Sequence, residues 1–221
     1  MFKRFSLTAL VLALAATLGG PAPSLAEQAP DTAAPASATE PDRPPYVEIS
    51  GRRSTHEKGK VKLTVFMDFL CSHCHHFDTV VLPVLEKEYG NKLVVEYVGV
   101  PLVDPQASHI PVLAYYLAVE QGKGKAMREA LFSTIWDLRM DVTRPDILLG
   151  VAAKAGLDLE AFKSGFNGNR MQERMEQGMR DAKAINLRGT PTLLIDNHIK
   201  INDNSLRNVE AVIGKVLGKG A

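Results

Sequence analysis

The chain has 221 residues, of which 45% are hydrophobic and 23% charged, and it carries a formal net charge of +1 at pH 7 with only two cysteines. A near-neutral balance with scattered Lys and Arg speaks against a nucleic-acid partner or an acidic membrane surface. The length suffices for one domain with a sizeable core and an inserted subdomain.

Lys3 and Arg4 precede an apolar run from Leu7 to Leu18, and Ser24, Leu25 and Ala26 follow with small residues where a signal peptidase reads. The pattern predicts a secretory signal over residues 1–26, cleaved after Ala26, because the run is too short to span a bilayer. No cysteine follows the run, so no lipid anchor is expected. An exported, periplasmic product of about 195 residues would remain, with a net charge of about −1. Residues 27–45, EQAPDTAAPASATEPDRPP, hold neither an aromatic nor a large aliphatic residue. They cannot bury enough apolar surface to offset their ordering entropy, which predicts a disordered leader.

Ordered structure is expected from Tyr46, with an edge strand over Tyr46–Ile49 and a basic, turn-like stretch from Gly51 to Lys60. The β-branched and aromatic run VKLTVFMDFL, residues 61–70, suits a strand buried on both faces. It leads straight into CSHCHHF, residues 71–77. From His73 to Tyr89, Phe77, Val80, Val81, Val84 and Leu85 fall at helical spacing, with a kink expected at Pro83 and a stop at Gly90. A second strand over Lys92–Val100 completes a strand-helix-strand unit whose strands should be parallel. Between Asp104 and Leu187 the period becomes helical, with segments near 107–121, 124–138, 144–155, 158–166 and 169–186. Strand chemistry returns in TPTLLID, residues 190–196, turns at Asn197 and His198, and continues over Ile199–Ile201. Ser205 or Asn204 can cap a last helix with Leu206, Val209, Val212, Ile213, Val216 and Leu217 on one face.

The two cysteines, Cys71 and Cys74, close too small a loop to add much chain-entropy stabilisation, so they are there for chemistry. Three chemistries fit the residues. Cys71 to Cys74 is a C-x-x-C redox pair, Cys71 to His75 spells the attachment signature of a c-type haem, and Cys71, Cys74, His73, His75 and His76 could bind copper or zinc. A haem needs a distal Met or His but no apolar strand running into its first cysteine. Successive histidines on a helix diverge, which works against a shared ion. As a redox pair, Cys71 at a helix start faces unpaired N–H groups and the positive dipole end, which lowers its pKa, while Cys74 one turn on is the buried partner. His73 between them can donate a hydrogen bond or add positive charge.

A strand feeding CSHC at a helix start, a later Gly189-Thr190-Pro191 opening another strand, and a closing hairpin and helix resemble the thioredoxin superfamily. The helical stretch between the two halves resembles its DsbA-type thiol:disulfide oxidoreductases. The resemblance covers residues 46–218 and implies an α/β thioredoxin fold, with a core over 46–103 and 187–218 and a helical insertion over 104–186. It implies a catalytic set of Cys71, Ser72, His73 and Cys74. The Thr190–Pro191 bond would be cis and lie against the pair, with Thr190 N–H and C=O free to pair with an extended substrate and Gly189 allowing close approach. No cofactor or metal is expected. The implied partners are exported proteins with cysteines and an inner-membrane, DsbB-like recycling protein. Residues 27–60 are too short and Pro-rich for a dimerisation segment, so a monomeric, disulfide-donating oxidase is expected, with a reductase or isomerase as the alternative. Val65 stands where many relatives carry a buried acid, and Asp68 is the nearest acid on the strand. Met171, Met175 and Met179 form a stripe at helical spacing that reads as core, Gly122-Lys123-Gly124-Lys125 as an interhelical turn, and His109 and His198 are given no role.

Overall fold

The computed structural model describes residues 44–218. The expected signal segment and residues 27–43 of the expected leader lie outside the described residues. The carbonyls of Pro44 and Pro45 already accept hydrogen bonds, from Asn202 Nδ2 at 2.8 Å and from Asn208 Nδ2 at 3.0 Å.

Among the described residues five strands form one sheet: β1 (Tyr46–Glu48), β2 (Val61–Met67), β3 (Leu93–Gly99), β4 (Thr192–Ile195) and β5 (Ile199–Ile201), in the order β1-β5-β4-β2-β3. Only β2 and β3 are parallel, with Val61 opposite Leu93 and Met67 opposite Gly99. β4 runs antiparallel to β2, with Phe66 opposite Thr192. The carboxyl ends of β2 and β3 and the start of β4 therefore share one rim of the sheet.

β2 is buried on both faces, as its continuous apolar run predicts. Val61, Leu63, Val65 and Met67 point into the main core with Leu85 and Ile213. Phe66 points the other way, into a smaller cluster with Val100, Ala182, Ile185 and Leu194. The hairpin turn sits at Asp196 and Asn197, one residue earlier than expected, because both take positive φ, 45° and 67°. Short polar side chains tolerate that left-handed pair, which matches the strand twist, whereas His198 resumes the chain into β5.

The helix after the redox pair runs as α1 (Ser72–His76), a π-helical segment over Phe77–Val81, and α2 (Leu82–Tyr89). Pro83 has no N–H to give the turn before it, and the widened π turn stands just upstream of it, where a kink was expected. The helical insertion comprises α3 (Pro105–Glu120), α4 (Gly124–Phe132) extended by a second π segment over Ser133–Asp137, α5 (Pro145–Lys154), α6 (Leu159–Asn167) and α7 (Gln172–Ala184). Asp104 caps α3 by accepting from Gln106 and Ala107 N–H, and Asp158 caps α6 in the same way. Gly122, at φ 69°, makes the α3–α4 turn. α7 lies close on β3: a Cβ on Gly178 would stand 2.9 Å from the Val98 side chain and 3.2 Å from the Gly99 carbonyl. Met171 and Met175 are buried as core, while Met179 is exposed. Helix α8 (Leu206–Val216), capped by Ser205, closes the chain with Val209, Val212 and Ile213 buried.

A buried ion pair joins the first π segment to the insertion. Arg128 Nε of α4 lies 2.7 Å from Asp78 Oδ1, both side chains being under a tenth exposed. The guanidinium lies over the Tyr97 ring at 4.3 Å, and Tyr97 OH donates to the same Asp78 oxygen at 3.3 Å. Burial pushes the Asp78 carboxyl up and Arg128 holds it down. Arg128→Met, which strands a buried carboxylate, should destabilise the protein by about 3 kcal/mol in urea unfolding, and adding Asp78→Leu should recover a large part of that loss. Equal stability of the single variant and the native protein would show that the pair contributes nothing.

Candidate active site

Cys71 is the N-cap of α1, with extended backbone (φ −91°, ψ 117°), and its carbonyl accepts from Cys74 N–H and His75 N–H, each at 3.1 Å. The helix thus starts on Cys71, and the first free N–H groups of the turn surround its sulfur. Both cysteines are reduced. Cys71 is the less buried of the two, but at 8% exposure against 2% for Cys74 it is more covered than a residue at a helix start suggests. The cause is the facing loop: Cys71 Sγ donates to the Thr190 carbonyl at 3.1 Å. The Thr190–Pro191 bond is cis.

The two sulfurs differ sharply in acidity. The hydrogen bond from the Cys74 thiol, then the Thr190 side chain and the N–H groups of Cys74 and His73, outweigh burial and bring Cys71 from 9.0 down to about 5. Burial, followed by the hydrogen bond to Cys71, pushes the Cys74 thiol far up. A negative charge in this site therefore belongs to Cys71. Ser72 and His73 are exposed on the outer side of the turn. The His73 ring is exposed, and the small part this residue has in lowering the Cys71 pKa comes from its main-chain N–H. A side chain at this position of the first turn points outward, while the N–H points along the axis toward the cap.

Asp68 is fully buried, and its carboxylate is taken up by the main chain. Oδ1 accepts from Leu70 N–H, and Oδ2 from Leu102 and Val103 N–H, all at 2.8 Å. Its carbonyl accepts from Cys71 N–H at 3.2 Å. Asp68 is a latch between the redox loop and the loop after β3. Val65 lies in the core at 1% exposure, so the strand offers an apolar face where the resemblance implies an acid.

Sequence reasoning missed Trp136. It lies in the second π segment, donates from Nε1 to the Phe69 carbonyl at 3.0 Å, and stacks on the His75 ring at 5.7 Å and 12°. One indole thus holds the chain two residues before Cys71 and one residue after Cys74. His75 Nε2 also faces Asp137 Oδ1 at 3.8 Å, so this imidazole is turned toward the insertion. The single tryptophan was the one available signal, but nothing in its spacing indicates which loop it meets.

Two outcomes can be measured. The reduced protein should show a thiolate absorbance that titrates at about 5 and is lost in Cys71→Ala. Since Cys71 titrates at 9.0 when unfolded and about 5 when folded, folding of the reduced form releases a proton between these values. Its contribution to stability is complete above pH 9.0 and is lost as pH falls through about 5. The stability advantage of reduced over oxidised protein should therefore shrink across that window, and a pH-independent gap would contradict the assignment. Trp136→Phe keeps a ring against His75 but removes the N–H, and should cost about 1 kcal/mol in chemical unfolding. Trp136→Ala should in addition raise the Cys71 titration, which a purely structural role would leave in place.

Residues 62–213 match the model of the DSBA-like thioredoxin domain. The thiol:disulfide interchange protein DsbA of Pseudomonas aeruginosa is 24% identical over 168 residues, covering 76% of this chain and 78% of that protein. The DsbA of Yersinia pestis is 26% identical over 155 residues, covering 67% and 72%. Among solved structures, the oxidoreductase DsbA from Xylella fastidiosa superposes with a TM-score of 0.66 at 22% identity, covering 79% of this chain and 94% of that one. Oxidised BdbD from Bacillus subtilis superposes with a TM-score of 0.67 at 18% identity, covering 77% and 98%. With its sheet, its inserted helices and its paired cysteines at the rim, the chain belongs to the DSBA-like thioredoxin domain family of thiol:disulfide oxidoreductases.

Proposed function

We propose that the protein is a disulfide-donating oxidase of exported proteins, working through the Cys71–Cys74 pair. The observation that carries this reading is the asymmetry of the two thiols: one held as a thiolate at neutral pH, the other buried and held protonated. Whatever stabilises the thiolate of the reduced form makes the disulfide a stronger oxidant.

The cycle balances as follows. A substrate thiolate attacks Sγ of Cys71 in the disulfide form; the Cys71–Cys74 bond breaks, and Cys74 leaves and takes up a proton. A second substrate thiolate attacks the substrate sulfur of the mixed disulfide, and Cys71 leaves as a thiolate. The substrate is oxidised by two electrons, and the pair is reduced to one thiol and one thiolate. Cys71 leaves readily because its pKa is low, which drives release of the oxidised substrate.

Ser72 and His73 contribute the exposed first turn around Cys71, His73 by its N–H. Gly189, Thr190 and Pro191 form the opposite wall, along which an extended substrate lies with its sulfur in line with Cys71. The Thr190 carbonyl accepts from Cys71 only while that thiol is protonated; in the disulfide form that meets the substrate both the N–H and the C=O of Thr190 are left for the incoming chain. No helix among the described residues is long and apolar enough to cross a membrane. The signal pattern of residues 1–26 supports export to the periplasm, where a membrane-bound partner would reoxidise the pair and the protein would act as a monomer.

Cys71→Ala should abolish thiol exchange, whereas Cys74→Ala should accumulate mixed disulfides through Cys71, seen as thiol-sensitive adducts on non-reducing gels. Equilibrium with glutathione buffers should place the pair well above thioredoxin at about −270 mV, toward the about −120 mV that belongs to the reference DsbA. A value near that of thioredoxin would make the protein a reductant instead.

A further inference from the structure

The loop that faces Cys71 also lines a cavity. Its volume is about 420 Å³, and Thr190 and Pro191 belong to its lining. Its walls include Asn186, Arg188, Thr192, Lys200, Asn202 and Asn204. Two of these are cations, and among the described residues no Asp or Glu lines the cavity. A groove of similar volume along β3 sets Arg174 against Glu96 and Asp181, so it has no such bias.

No described residue neutralises either cation. Among the described residues neither Arg188 nor Lys200 enters an ion pair. Lys200 Nζ donates once, to the Ile185 carbonyl at 3.1 Å, and an ammonium has three donors. The nearest acid in sequence, Asp203, is turned onto Ser205, accepting from its N–H at 2.9 Å and its hydroxyl at 2.8 Å. The wall is also fixed to the loop it serves. Asn204 Nδ2 donates to the Pro191 carbonyl at 2.7 Å, and Thr192 Oγ1 to the Gly189 carbonyl at 2.7 Å.

We propose that this cavity is a subsite for an acidic side chain of the polypeptide substrate, an Asp or Glu close to the exchanging cysteine. The proposal rests on the exchange reading above. Thr190 both bonds Cys71 and lines the cavity, so a substrate strand laid along it, advancing by about 3.3–3.6 Å per residue, carries the side chains that flank its cysteine toward the cavity. There a carboxylate meets a guanidinium, an ammonium and amide donors, the charge-assisted set that favours it over a neutral or basic side chain. Such contacts select among partners and speed encounter more than they tighten binding, which suits an enzyme that must release its product.

The test uses the oxidised full protein and dithiol peptides that differ only in having Asp, Asn or Lys beside the cysteine. An acidic neighbour by itself makes a thiol less reactive, so each rate is divided by the rate of the same peptide with hydroxyethyl disulfide. The corrected rate for the Asp peptide should exceed that for the Asn peptide by about fivefold at low salt and fall toward it at high salt. Arg188→Gln and Lys200→Gln should each reduce that ratio, and Arg188→Glu should reverse the order of the Asp and Lys peptides. The ratio is internal to each variant, so a change in overall activity does not blur it. Equal corrected rates in the native protein, or a ratio untouched by all three variants, would overturn the subsite alone. Failure of every peptide to be oxidised would overturn the exchange reading with it.

Discussion

The redox end of this molecule depends on one buried carboxylate. Asp68 leaves β2 where the strand ends and takes hydrogen bonds from three main-chain N–H groups, one in its own loop and two in the loop after β3. An ionised or polar side chain at zero exposure is tolerable only when its acceptor sites are filled, and here they are filled by backbone that would otherwise be left unpaired in the same place. The result is a fixed origin for Cys71, whose own N–H bonds to the Asp68 carbonyl. Everything that gives the sulfur its character is measured from that point.

From that origin the two cysteines diverge in chemistry although they lie three residues apart. Cys71 stays at the cap, where N–H groups and the Thr190 loop reach it; Cys74 turns into the core. The same helical geometry therefore stabilises charge on one sulfur and excludes it from the other. This division of labour needs no acid on β2, and Val65 in the core shows that the site is built without one at that position.

The insertion is more than a cover. Two π segments, one in each of the facing helices, bring Trp136 against both flanks of the redox turn and Arg128 against Asp78. An extra residue per turn re-aims side chains that an unbroken α-helix would point elsewhere, which is why π segments collect at working sites. The thioredoxin half supplies the cysteines, and the inserted half restrains the turn that carries them.

Much of this was open to sequence reading. The double-faced burial of β2 follows from its unbroken apolar run, the helical insertion from its period, and the redox pair from two cysteines too close to serve as a staple. These are local properties, set by neighbouring residues along one chain. The wall opposite Cys71, the Asp68 latch and the Trp136 clamp were not legible, because each joins residues 34 to 119 positions apart that are brought together only by the tertiary fold. His73 shows the boundary most clearly. Its place between the cysteines was plain in the sequence, but that its ring would be exposed was decided by the direction in which a helix turns its side chains.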